Sequence, residues 1–253
     1  VALPRWLRGR DRDDPTPVES GLRRARAVEL AAEILNRPVL LEPARFAAMR
    51  AAALPEPGAF FLFWDDDDRD DLDVRKGVAV IQAHGTLWTF RQRRIRAQLD
   101  QALTRGDVRA VLLDIDSPGS PVTGIFDLAE HVRQAREQKP IWAVANDDAF
   151  SGAYALASGA SRILVTQTGG VGSIGVIAVH IEYSKMDERV GMKVTEIFSG
   201  ERKADYSDAR PLDPKARELL QAEMDRLREI FVGVVAENRG IDPQAVRDTE
   251  AGL

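Results

Sequence analysis

One serine followed at once by glycine, Ser151-Gly152 in "NDDAFSGAYALAS", stands where an apolar run gives way to a helical one. A serine in that place either caps the helix or, with a base beside it, attacks a carbonyl. A helix start exposes unpaired amides and the positive end of the dipole, and both favour an anion. Taken alone, the residue is a cap before it is a nucleophile. Of the three histidines, His84 and His131 fall on a strand end and a helix face and read as structural, while His180, 29 residues after the serine, is a candidate base. Lys203 in "FSGERKADYS" is the other. A lysine serves as a base only where burial or a neighbouring cation disfavours its ammonium form, so a surface lysine is the default. A second loop, "DIDSPGSPVTG", puts Pro118 and Gly119 between a strand and a helix. Glycine's conformational freedom lets the Gly119 amide face a ligand, as an oxyanion hole requires, although an ordinary strand-turn-helix connection has the same pattern.

The 253 residues, 44% hydrophobic, are enough to bury a substantial core. A net charge of −5 gives no basic face for phosphate backbones, so no nucleic-acid partner is expected. With no cysteine, disulfides and thiol nucleophiles are excluded. The scattered histidines form no HExxH-like pair, so no metal and no cofactor are expected. The longest apolar runs fall well short of the roughly 20 residues that span a bilayer. The start at Val1, without a signal-peptide pattern, reads as a processed or trimmed end, which leaves room for a removed anchor.

Residues 1–20 read as a mobile tail, "SGLRRARAVELAAEILNRP" as a helix and "EPARFAAMRAAAL" as a second one. Seven aspartates between positions 65 and 73 read as a solvated linker rather than a metal site. The expected organisation is an N-terminal tail, helices and acidic linker over 1–76 and a core domain over 77–253. In the core, "GVAVIQAHG", "VRAVLLDID", "KPIWAVAN" and "RILVT" predict strands that alternate with helices at "FRQRRIRAQLDQALTRG", "PVTGIFDLAEHVRQAREQ" and "SGAYALASGA". Strands are also expected at "IGVIAVHI" and "KVTEIF", before a long helix from Asp213 to Asn238. The alternation predicts an α/β fold with parallel pairing.

Taken together, "DSPGS", "SGAYALAS", "VGSIGV" and "SGERK", in that order, resemble the signal peptide peptidase A family of serine peptidases, and within it the phage head-maturation branch. The 52-residue separation of Ser151 and Lys203 and the upstream "RPVLLEP" fit that resemblance, which covers roughly residues 37 to 250. It implies a Clp protease/crotonase-like fold of repeated ββα units, here with an N-terminal helical extension. It implies Ser151 as nucleophile, Lys203 as general base, Ser173 as the hydroxyl that orients the lysine, and the Gly119 and Gly152 amides as the oxyanion hole. Peptide hydrolysis would run through an acyl-enzyme, on scaffold or portal-related proteins inside a procapsid in the bacterial host cytoplasm. Relatives form rings, so a homo-oligomer is implied, and in some of them serine and lysine come from adjacent subunits.

Ser120 stands where the family commonly has a second glycine, and the chain stops at Leu253 where relatives continue, as a truncated protease domain would. The alternatives are a membrane-associated signal-peptide peptidase, a Clp-like triad of Ser151 and His180, a crotonase-like acyl-CoA enzyme, and a catalytically silent assembly protein.

Overall fold

The computed structural model describes residues 38–41 and 71–252. The tail, the two N-terminal helices and most of the acidic run expected from the sequence lie outside them. Strands β1 (Val39–Leu41), β2 (Asp73–Arg75), β3 (Val78–His84), β4 (Ala110–Ser117), β5 (Gly119–Pro121), β6 (Ile141–Phe150), β7 (Arg162–Val165) and β8 (Gly170–Gly172) alternate with helices. The helices are α1 (Thr89–Thr104), α2 (Ile125–Ala135), α3 (Gly152–Ser158), α4 (Ser184–Arg189), α5 (Pro214–Arg239) and α6 (Pro243–Arg247).

The main sheet has the order β2-β3-β4-β6-β7, with β3, β4, β6 and β7 parallel, as strand-helix alternation demands. β6 is longer than the sequence pattern suggested, because its last three residues, Asp148 to Phe150, gain a neighbour in β8. A second sheet, among the described residues, is β1 paired antiparallel with β5. One face of the main sheet, with Ala79, Ile81, Val111, Leu113, Ile115, Ile141 and Ala143, is fully covered. Ile95 and Leu99 of α1, Leu128 and Val132 of α2, Leu156 of α3 and Phe231 of α5 complete that core.

α3, "GAYALAS", has small residues at five of its seven positions, and this lets it lie deep between α2 and α5. Just after it, a Cβ added at Gly159 would stand 2.5 Å from the Ala129 carbonyl oxygen. The buried Asn238 of α5 donates to the Ser158 hydroxyl at 2.8 Å and fixes the other side. α5 starts as its sequence requires, with the Asp213 carboxylate accepting from the Lys215 and Ala216 amides and Pro214 in the first turn. It stops at Gly240, whose φ of 64° is the left-handed cap that glycine takes readily.

Two expected strands do not form. "IGVIAVHI" contributes only an isolated bridge from Ile177 to Val39, and "KVTEIF" has no regular structure. A strand needs an edge to pair with, and among the described residues none is presented to residues 193–198. That arm is instead solvent-facing, with Val190, Met192, Val194 and Phe198 exposed and Ile197 95% exposed.

Candidate active site

β6 delivers Ser151 at its end and α3 carries the chain away, so the residue occupies a sharp strand-to-helix turn. Its φ is 52° and its ψ −118°, a conformation that L residues rarely adopt and that costs about 1–3 kcal/mol. Backbone bonds hold it there: the Ser151 amide donates to the Gly172 carbonyl at 2.8 Å, and its own carbonyl accepts from Ala155 at 3.0 Å. The side chain makes no capping bond to α3. Its hydroxyl instead reaches the Gly175 carbonyl at 3.4 Å, and the residue is 1% exposed. The cap that the local sequence favoured is therefore not what this serine forms.

The loop "DSPGS" packs directly on this turn. A Cβ at Gly152 would stand 2.1 Å from the Ser120 hydroxyl oxygen and 3.0 Å from the Ser120 amide nitrogen. Only glycine lets the two segments approach so closely. Ser120, the departure from the family pattern, is buried and turns its hydroxyl to the Pro121 carbonyl at 2.8 Å. Gly119 has a φ of 126°, and its amide donates to the Ser117 hydroxyl at 3.2 Å while its carbonyl accepts from Leu87 at 2.9 Å. An oxyanion at the Gly119 amide would take the place of the Ser117 hydroxyl. Ser117 is a site residue that sequence reasoning passed over, although it stands two positions before the glycine.

A Cβ at Gly119 would lie 1.9 Å from the Leu40 carbonyl oxygen, a backbone atom that cannot swing aside. Gly119→Ala is therefore expected to lower the unfolding free energy by roughly 2–3 kcal/mol, from both the clash and the positive φ. Urea unfolding checks this, and an unchanged midpoint would show that the approach of Leu40 is not tight.

On the opposite side lies "VGSIGV". Ser173, also at a positive φ of 55°, donates its amide to the Gly252 carbonyl at 2.9 Å, and its own carbonyl accepts from Gly175 at 2.9 Å. Ser173 is 5% exposed, and its hydroxyl makes no hydrogen bond among the described residues. Ser151, Gly152, Gly119 and Ser173 thus line the two flanks of one turn.

Lys203 is not part of this cluster. It is exposed, on the arm that follows α4, beside Ile197, Phe198, Tyr206 and Ser207. Among the described residues no hydrogen bond joins it to Ser151 or Ser173. His180 is also turned away, with Nε2 2.8 Å from the Ser207 carbonyl oxygen. His84 lies 3.2 Å from Asp114 and His131 2.6 Å from Asp100, in line with structural roles for both.

Residues 133–252 match the model of peptidase family S49. This span contains Ser151, Ser173 and Lys203, whereas Gly119 precedes it. The chain is 35% identical over 259 residues to the capsid assembly protease C of Escherichia phage lambda, with 88% of this chain and 59% of that protein aligned. It is 36% identical to the head-tail preconnector protein GP5 of Enterobacteria phage P21, over 88% of this chain and 51% of that protein. A putative signal peptide peptidase SppA from Enterococcus faecium is 31% identical over 57% of this chain and 42% of its own length. The chain spans little more than half the length of the two phage relatives. Among solved structures, a Plasmodium falciparum peptidase aligns with 67% of this chain and 82% of its own, at 12% identity and a TM-score of 0.38. At that score the fold is read from the strand order itself.

Proposed function

From the match of residues 133–252 to peptidase family S49 we propose that the chain is a serine endopeptidase of phage head maturation, acting on scaffold or portal-related proteins within the procapsid. The observation that carries this is Ser151 itself, buried at a strained strand-to-helix turn with a hydroxyl that caps nothing. A serine held at such cost for no capping bond is accounted for by chemistry.

In the proposed reaction the Ser151 oxygen bonds to the scissile carbonyl carbon while its proton passes to the neutral amine of Lys203. The amides of Gly119 and Gly152 receive the oxyanion, and the Ser173 hydroxyl orients the amine. The carbon–nitrogen bond then breaks as the lysine returns the proton to the leaving amine, and water repeats the sequence on the acyl-enzyme.

A lysine base needs cover from water. The exposed position of Lys203 and the uncovered apolar arm beside it favour a homo-oligomeric ring in which the lysine of one copy reaches the serine of its neighbour. No helix among the described residues is long and apolar enough to cross a membrane. A candidate scaffold protein followed by intact mass tests the reading. Lys203→Ala is expected to slow its cleavage at least about 100-fold, and His180→Ala to leave it intact. The reverse pattern would replace the dyad with a histidine-based triad.

A further inference from the structure

β1 is three residues long, Val39–Leu41, yet it is completely enclosed, at 0–2% exposure. Both of its edges are bound. On one side it pairs antiparallel with β5, Leu40 opposite Ser120 and Leu41 opposite Gly119. On the other, Val39 and Ile177 exchange both backbone bonds, at 2.8 and 3.0 Å. These two partners are the segments that flank Ser151: Ser120 packs on Gly152, and Gly175, two residues before Ile177, accepts from the Ser151 hydroxyl.

The polarity of the pairing is informative. A peptide cleaved here must place its scissile carbonyl at the Gly119 amide, with the acyl half of the peptide preceding that residue in sequence. An extended peptide adding to the free edges of two segments takes its affinity from main-chain bonds and its selectivity from the side chains. β1 runs from Pro121 towards Gly119, so its last residue, Leu41, is the one opposite the oxyanion glycine. The space is fitted to a backbone, since a Cβ on Gly119 would collide with the Leu40 carbonyl.

We propose that Val39–Leu41 lies in the acyl side of the substrate groove as an intramolecular occupant, and that the groove selects extended peptides with three apolar residues before the scissile bond. This rests on Ser151 being the nucleophile. Substrate enters only when β1 leaves, so the segment restrains the enzyme in cis.

The absence of cysteine allows a reversible lock. Val39 and Ile177 form a hydrogen-bonded antiparallel pair, for which Cα atoms stand about 5.5 Å apart, within disulfide range. The full chain with Val39→Cys and Ile177→Cys would be assayed oxidised and reduced on an acetyl-Val-Leu-Leu coumarylamide, beside wild type and Ser151→Ala. The expected result is at least a tenfold slower release from the oxidised form, recovered on reduction, with a melting temperature for the oxidised form no lower than that of the reduced one. Equal Ser151-dependent rates in the two redox states would place β1 outside the groove and overturn the inference while leaving the peptidase reading in place. Wild type that cuts a scaffold protein but not the tripeptide would overturn the assigned selectivity. If neither wild type nor the reduced variant cleaves anything in a Ser151-dependent way, the peptidase reading falls and the inference with it.

Discussion

Replacing Ser151 with alanine is expected to reduce cleavage to background, a loss on the order of 10⁴-fold or more, the size of loss that removal of a serine peptidase nucleophile produces. The same substitution should barely alter stability. The hydroxyl has one partner, the Gly175 carbonyl at a long 3.4 Å, so its removal costs less than about 1 kcal/mol. The strained backbone is retained, because alanine at φ 52° meets the same steric penalty as serine. A structural serine would behave the other way round, with stability falling and activity staying. Turnover of a scaffold protein, measured beside a thermal melt of the same preparation, separates the two. Full activity in Ser151→Ala at an unchanged melting temperature would remove the residue from the chemistry altogether.

Mixing two inactive proteins is expected to restore activity. Within one chain Lys203 is exposed and shares no hydrogen bond with Ser151, and the arm that carries it displays Met192, Ile197 and Phe198 to solvent. Apolar patches of this kind on a folded domain mark association surfaces. If the arm of one copy completes the site of the next, Ser151→Ala and Lys203→Ala subunits assembled together contain sites with an intact serine from one and an intact lysine from the other. Random 1:1 assembly around a closed ring makes about one site in four competent. Co-refolding the two variants and measuring scaffold cleavage checks this. A mixture as inactive as its components would place serine and lysine of each site in the same chain and require the arm to fold back.

The parallel core was legible because its strands and helices have strong, distinct periods. "VRAVLLDID" and "IWAVAN" alternate with clear helical runs, and their observed bounds differ from the expected ones mainly at the ends. β5 and β8 are three residues each, too short to show any period, and both border the candidate site. "KVTEIF" shows the opposite error. Its composition suits a strand, but a strand exists only in a pair, and that partner edge is not a property of the local sequence. Ser151 and Gly119 were singled out by residue type and their place after strands, Gly152 only by the family resemblance, and the fold gathers all three around one turn. Neither the left-handed backbone of Ser151 nor the hold of Ser117 on the Gly119 amide leaves a trace in composition. The enclosure of "VLL" was invisible for a similar reason, since its neighbours lie far along the chain.

The hydrogen bond from the Ser173 amide to the Gly252 carbonyl bears on timing. It joins the flank of the Ser151 turn to almost the last described residue, a contact of very long sequence separation, and such contacts form late because the intervening chain must be ordered first. A ribosome synthesising this chain exposes Ser151 well before it adds Gly252. During that interval the Ser173 loop lacks its bond to Gly252, and one flank of the Ser151 turn is unfinished. On the proposed peptidase reading, the order of synthesis would delay completion of the site until Gly252 has been added.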